Sequence, residues 1–188
     1  MRILKNDSKS YTSILSALEK DKVIVLPTDT IYGFSGKINT TKEKIQAIKG
    51  REENKPFIVL IEKPEDISLF SDIRPHQDLL ALWPGALTII LPLRNSEESI
   101  ALRCPGDAWL RKLIADLKSP LYSTSCNRSG LPPLSDIDEI EKEFSKEVAL
   151  IVEDPSSGSG LASTIVSIEE HSVKLIRQGS LMLPGYLF

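Results

Sequence analysis

The chain has 188 residues, 41% hydrophobic and 26% charged, with a formal net charge of −3. That length suggests one domain over residues 1–188, able to bury a core without disulfides or metals, and the slight acidity excludes a basic nucleic-acid coat, so any RNA contact must come from a local patch. No apolar run approaches the roughly 18 residues of a membrane span, MRILKNDSKS has no apolar signal core, and two distant cysteines with only two histidines argue against a zinc site or a Ser-His-Asp triad and for a reducing, cytoplasmic setting.

Asp7 or Ser8 is placed to cap a first helix, whose apolar face is Tyr11, Ile14, Leu15 and Leu18 at i, i+3, i+4 and i+7. Residues 23–26 read as a buried strand ending at Pro27, before the polar loop Thr28-Asp29-Thr30. Thr40 with Glu43 predicts a capping box opening a helix with Ile45 and Ile48 inward and Gly50 as its terminator. A second strand covers 57–61, a short helical segment 64–69, and a helix 77–82 that stops before Pro84. Strands follow at 87–91 and 100–103. Asp107 caps a helix with Leu110, Leu113, Ile114 and Leu117 on one side. A strand at 121–124 leads into a polar loop, and Ser135 caps a helix carrying Ile137, Ile140 and Phe144. Late strands are expected at 148–152, 164–168 and 173–177, the last two forming a hairpin across residues 169–172. Strands separated by helices imply parallel pairs and the hairpin an antiparallel one. The expected architecture is therefore an α/β fold with one mixed sheet and helices packed on it.

Four polar segments adjoin the ends of these strands, where open α/β sheets bind ligands. PTDTIYG at 27–33 presents hydroxyls beside a backbone turn, suited to a carboxylate or phosphate, or simply to local turn bonds. Lys49-Gly50-Arg51, with Lys55 close behind, gathers cations suited to a polyphosphate, or equally to the negative end of a helix dipole. STSCNRSG at 123–130 clusters hydroxyl and amide groups after a strand, a phosphate cradle without a Walker loop or a serine-rich turn. GLAST at 160–164 has small residues that let a ligand approach the backbone closely, and it leads towards Arg177-Gln178-Gly179. Arg103, ending an apolar strand, is a candidate carboxylate clamp or a surface salt bridge. Cys126 has no neighbouring base and reads as a packing residue. Trp83 and Trp109 read as core.

The order and spacing of these segments, together with WPGALTIILP at 83–92, IALRCP at 100–105 and IRQG at 176–179, resemble the YrdC family of L-threonylcarbamoyladenylate synthases in its short, single-domain form. The resemblance implies a twisted mixed sheet curved around a concave, positively charged groove. It implies that L-threonine, bicarbonate or CO2, and ATP give threonylcarbamoyl-AMP and pyrophosphate. Magnesium is expected to accompany ATP, with no dedicated metal cage, no covalent intermediate and no catalytic side chain. The product would pass to a partner transferase system acting on an adenosine beside the tRNA anticodon.

By motif match, Lys49, Arg51, Lys55, Ser125, Asn127 and Arg177 would contact ATP. Thr28, Arg103, Ser123 and Ser163 would surround threonine, with Arg103 on its carboxylate. The sequence departs from the family's pattern at Leu60, where many relatives have histidine. Further departures are Glu52 after the Lys-Gly-Arg, Cys126 between Ser125 and Asn127, Ala162 before Ser163 and Ser167 further on. The alternative is a protein of the same fold that binds tRNA or double-stranded RNA in the groove without making the adenylate. A carbamoyl-adenylate domain of the hydrogenase-maturation type is disfavoured because no zinc motif accompanies it.

Overall fold

Alternation along the strands decides which side chains meet which helices. In β2 (Ile24–Leu26) every residue is buried. Ile24 and Leu26 pack with Ile14 and Leu18 of α1 (Ser10–Glu19) and with Leu110, Leu113 and Ile114 of α4 (Ala108–Leu117). Val25, pointing the other way, joins Phe34, Ile45 of α2 (Lys42–Lys49) and Phe144 of α5 (Ile137–Phe144). Helices thus cover both faces of the sheet. A third cluster, built on Leu79 of α3 (Gln77–Leu80), Trp83, Ile89 and Leu102, extends the core under the far strands. Fully burying one such Leu or Ile contributes roughly 1.5–3 kcal/mol.

The computed structural model describes residues 1–50, 56–156, 160–169 and 172–187. The remaining strands are β1 (Arg2–Leu4), β3 (Gly33–Lys37), β4 (Ile58–Leu60), β5 (Leu87–Pro92), β6 (Ser99–Arg103), β7 (Leu121–Ser125), β8 (Ile151–Glu153), β9 (Thr164–Glu169) and β10 (Ser172–Arg177). They form one sheet in the order β1-β8-β2-β3-β7-β4-β6-β5-β9-β10. The sheet is mixed, as expected, and β9 and β10 form the expected antiparallel hairpin. The parallel pairs, however, join strands far apart in the chain: β1 and β2 with β8, β4 with β6, and β5 with β9.

Two strands lacked any sequence signal. β3, GFSGK, is not apolar-alternating, yet it is held between β2 and β7 by antiparallel ladders on both sides. β1 is a short edge strand. Local caps differ from expectation in three places. Asp7 accepts a hydrogen bond from the Lys9 amide at 2.8 Å, and α1 starts at Ser10, two residues later than an Asp7 cap would set it. Thr40 does not cap α2: its hydroxyl bonds Asp21 at 2.9 Å, and the helix begins after Thr41. Asp136 rather than Ser135 caps α5, accepting from the Asp138 and Glu139 amides. Asp107 caps α4 as expected, with the Trp109 amide at 2.9 Å. Gly50 terminates α2 at φ 60°, a left-handed conformation that favours glycine. Residues 64–69 form a 3-10 helix. Among the described residues no helix is long and apolar enough to cross a membrane.

Candidate functional site

The sheet face that packs on α1 and α4 at Leu60 and Leu121 continues along β7 to Ser123 and Ser125. Cross-strand partners share a face, so Ser123 stands opposite Ile58 and Ser125 opposite Gly33. The loop after β2, the end of β6 and the start of β9 close this area into a cavity of about 280 Å³. Six of the predicted site residues line it: Thr28, Arg103, Ser123, Ser125, Ser163 and Arg177. Larger cavities lie beside Lys22 and Lys44, about 410 Å³, and against the 3-10 helix, about 380 Å³. The first is lined by no hydroxyl or arginine; the second holds Ser68, Ser71, Arg74 and Arg94 but also Glu65 and Asp72, with Arg94 paired to Asp72, so the chemistry of the walls, not volume, selects the site.

Thr28 serves both readings open to it. Its Oγ1 donates to the Ile31 carbonyl at 2.7 Å and accepts from the Thr30 and Ile31 amides at 3.2 Å, a local turn that also forms one wall of the cavity.

Arg103 is not a surface residue: only 3% of it is exposed. Its Nε donates to the Gly85 carbonyl at 3.1 Å, one terminal nitrogen to Thr30 Oγ1 at 2.8 Å, and the other to Asp29. Burial pulls the guanidinium pKa down, and the Asp29 carboxylate counters that. Asp29 is itself held by the Gly106 amide, which donates to Oδ2 at 2.8 Å. Three of the five N–H groups of a guanidinium are thereby committed to Gly85, Thr30 and Asp29.

Arg177 crosses from β10 to the same cavity. Its Nε and Nη2 donate to the Ser163 carbonyl at 3.2 and 2.9 Å. Its pKa is depressed by burial and by the charge of Arg103. Among the described residues no carboxylate pairs with Arg177, so with Arg103 offset by Asp29 these three groups sum to one positive charge. Ser163 shares a hydroxyl contact of 2.8 Å with Thr88. The following segment is pressed close beneath: a Cβ on Gly179 would sit 2.2 Å from the Ala162 carbonyl oxygen, so only glycine fits.

Lys49 lies behind the cavity rather than in its wall. Its ammonium, 3% exposed as a residue, donates to the Ser125 carbonyl at 2.7 Å and to the carbonyl and Oδ1 of Asn127 at 3.0 and 2.9 Å. The Ser125 hydroxyl donates to the same Oδ1 at 2.6 Å, and the Asn127 amide donates to the Arg128 and Leu131 carbonyls. Lys49, Ser125 and Asn127 are therefore one bonded unit that sets the shape of the loop. Arg51 and Lys55 lie outside the described residues. Arg128 turns away, bonding Glu143, Glu147 and the Ile48 carbonyl. Cys126 is wholly buried in the core beside Phe34, and burial pushes its thiol pKa far up, which suits packing and not nucleophilic chemistry. Leu60 is also core, packed with Leu121 and Leu110, so it does not stand at the cavity wall.

Sequence reasoning missed Asp29, Thr30 and Thr88 as parts of this site. Thr88 carried a signal, as the hydroxyl on the alternate face of an otherwise apolar strand. Asp29 and Thr30 carried one only as members of a motif.

The family model of Sua5, YciO and YrdC proteins, described as telomere recombination, matches residues 16–179. The chain belongs to the Sua5/YciO/YrdC family. Among curated members, it is 28% identical to the threonylcarbamoyl-AMP synthase of Bacillus subtilis, over 95% of this chain and 56% of that protein. It is also 28% identical to the putative threonylcarbamoyl-AMP synthase of Methanocaldococcus jannaschii, over 95% of this chain and 92% of that one. The chain thus spans little more than half the length of the B. subtilis relative. Among Sua5/YciO/YrdC structures, Pyrococcus abyssi Sua5 complexed with L-threonine superposes with a TM-score of 0.85 at 23% identity, covering 96% of this chain and 57% of that one. Escherichia coli YciO gives 0.82 at 22% identity, covering 96% and 94%. At these identities the superpositions show the shared fold.

Proposed function

We propose that the chain is a threonylcarbamoyl-AMP synthase, using L-threonine, bicarbonate or CO2, and ATP, and releasing pyrophosphate. The observation that carries this reading is the convergence of Arg103 and Arg177 with the Ser123, Ser125 and Ser163 hydroxyls in one cavity. It is supported by the names of the curated relatives and by the threonine complex of a protein with the same fold.

In this reading the threonine ammonium reacts with bicarbonate to give a carbamate, water and a proton. A carbamate oxygen then attacks the α-phosphorus of ATP, and the bond to the β-phosphate breaks as pyrophosphate leaves. The threonine carbamate and the triphosphate are both anionic, so the protein's task is to reduce their repulsion and hold the groups in line. The other two N–H groups of Arg103 would take the threonine carboxylate, with Thr28, Ser123 and Ser163 around the amino acid. Arg177 and the Ser125–Asn127 loop would face the nucleotide, with Arg51 and Lys55 as further phosphate contacts. Lys49 would act on the phosphates chiefly through the loop it holds. Magnesium would enter with ATP. The product is an activated acyl phosphate ester, and we infer that a transferase system moves its threonylcarbamoyl group to an adenosine beside a tRNA anticodon, in the cytoplasm, with RNA contact at this chain weak.

The test is formation of an AMP ester from ATP and bicarbonate that requires threonine. Pyrophosphate release that ignores threonine, or no release at all, overturns the proposal.

A further inference from the structure

Outside the lining of the cavity, a buried ion cluster ties together two of the loops that lead to it. Lys5 follows β1 and lies outside residues 16–179, the span matched by the family model. Its ammonium donates to Asp107 Oδ2 at 2.7 Å and to Asp154 Oδ2 at 2.9 Å, and lies 5.2 Å from the Trp109 ring centroid. The three side chains are only 10%, 16% and 7% exposed.

Each carboxylate leads to a different wall. Asp107 follows Gly106, whose amide fixes Asp29, which in turn grips Arg103. Asp154 Oδ1 accepts from the Ser156 amide at 3.0 Å and hydroxyl at 2.6 Å, at the start of the chain that returns to Ser163. The Asp154 backbone also exchanges hydrogen bonds with the hydroxyl of Tyr32, a cavity residue. Further on, the Gly160 amide donates to the Thr30 carbonyl at 3.2 Å.

Two carboxylates sharing one cation at this burial are held together only while the cation is present. Without it they repel, and hydrating them requires the loops to part. We propose that Lys5 is a positioning residue for the cavity: its charge fixes the loop after β6 against the loop after β8, and so sets where Arg103 and Ser163 stand. The inference concerns residue placement. Only its kinetic consequence rests on the synthase reading.

Lys5→Met keeps the stem over Trp109 and removes the charge. Amide hydrogen exchange without substrate should show protection at Gly106, Ser156 and Gly160 falling at least 10-fold, with Leu102 and Ile89 in the sheet unchanged. Lys5→Arg should restore it. Asp154→Asn, which keeps the Lys5–Asp107 pair, should loosen Ser156 and Gly160 but not Gly106, and it carries the test if Lys5→Met does not fold. In the synthase assay, Lys5→Met should raise the Michaelis constant for threonine about 10-fold and leave kcat within about twofold. Unchanged loop protection in the folded variant overturns the inference, as does a uniform loss across the sheet. If the wild-type chain shows no threonine-dependent turnover, the synthase reading falls while the exchange pattern still decides the role of Lys5.

Discussion

Arg103→Lys separates ligand recognition from packing at the cavity. The guanidinium makes three bonds, to Gly85, Thr30 and Asp29. A lysine ammonium at the same 3%-exposed place can keep its pairing with Asp29 but has no planar fork to span the remaining acceptors and a carboxylate together. Losing one charge-assisted bond to a ligand carboxylate costs about 1.5–3 kcal/mol, a factor of roughly 10 to 100 at about 1.4 kcal/mol per tenfold. Losing the charged guanidinium's bonds to the Gly85 and Thr30 oxygens costs about 1.5–3 kcal/mol each, lowering Tm by roughly 6–24 °C in a chain of this size. Steady-state kinetics with each substrate varied separately, backed by calorimetric titration of threonine, read the first effect, and thermal melts the second. The threonine constant should rise 10- to 100-fold and the ATP constant by less than about threefold. If both constants rise equally, or neither moves in a folded variant, Arg103 serves only to pair with Asp29 and the threonine assignment fails.

Lys49→Met should disorder the Ser125–Asn127 loop and weaken ATP binding at least 10-fold by calorimetry. Unaltered affinity would show that the loop keeps its shape without the ammonium. Arg51→Ala should weaken ATP binding by roughly 10-fold or more, from about 1.5–3 kcal/mol for a charged hydrogen bond, with an unchanged melting temperature; equal affinity would remove Arg51 from the nucleotide site. Cys126→Ala should keep turnover within about twofold, and the native thiol should resist iodoacetamide at pH 8. Lost activity in a well-folded variant would restore a chemical role for sulfur. Lys5 and Ser156 hold the Asp154 pKa below its usual carboxylate value against the opposing effect of burial. A depressed folded pKa contributes stability that is complete above the unfolded value of about 3.9 and lost as pH falls through the folded one. Melting temperature should therefore hold from pH 7 to about 5 and drop below about 4, with a shallower drop in Asp154→Asn. An identical acid profile in that variant would exclude the linkage.

Features that close within a few residues could be read from the amino acids in order. The Asp107 cap, the Gly50 terminator, the β9–β10 hairpin and the apolar faces of α1 and α4 all depend on neighbours in the chain, so periodicity and cap chemistry suffice. The segments bearing hydroxyls and arginines were legible for the same reason, as polar interruptions at strand ends. Even here competition intervened: Thr40 had a local capping partner but found Asp21 instead.

What the folded chain alone decided is the direction and pairing of charged groups, because those partners are distant in sequence. Arg103 meets Asp29 across 74 positions, Lys49 meets Asn127 across 78, and Lys5 meets Asp154 across 149. A cation at a helix end or on a strand reads the same whether it points at a ligand or at a buried carbonyl. β3 became a strand because β2 and β7 offered ladders on both sides, although GFSGK has no alternation of its own. Burial makes an unpaired charge costly, so the order of the ten strands, which sets what is buried beside what, determines which cations are spent on the fold and which remain for a ligand.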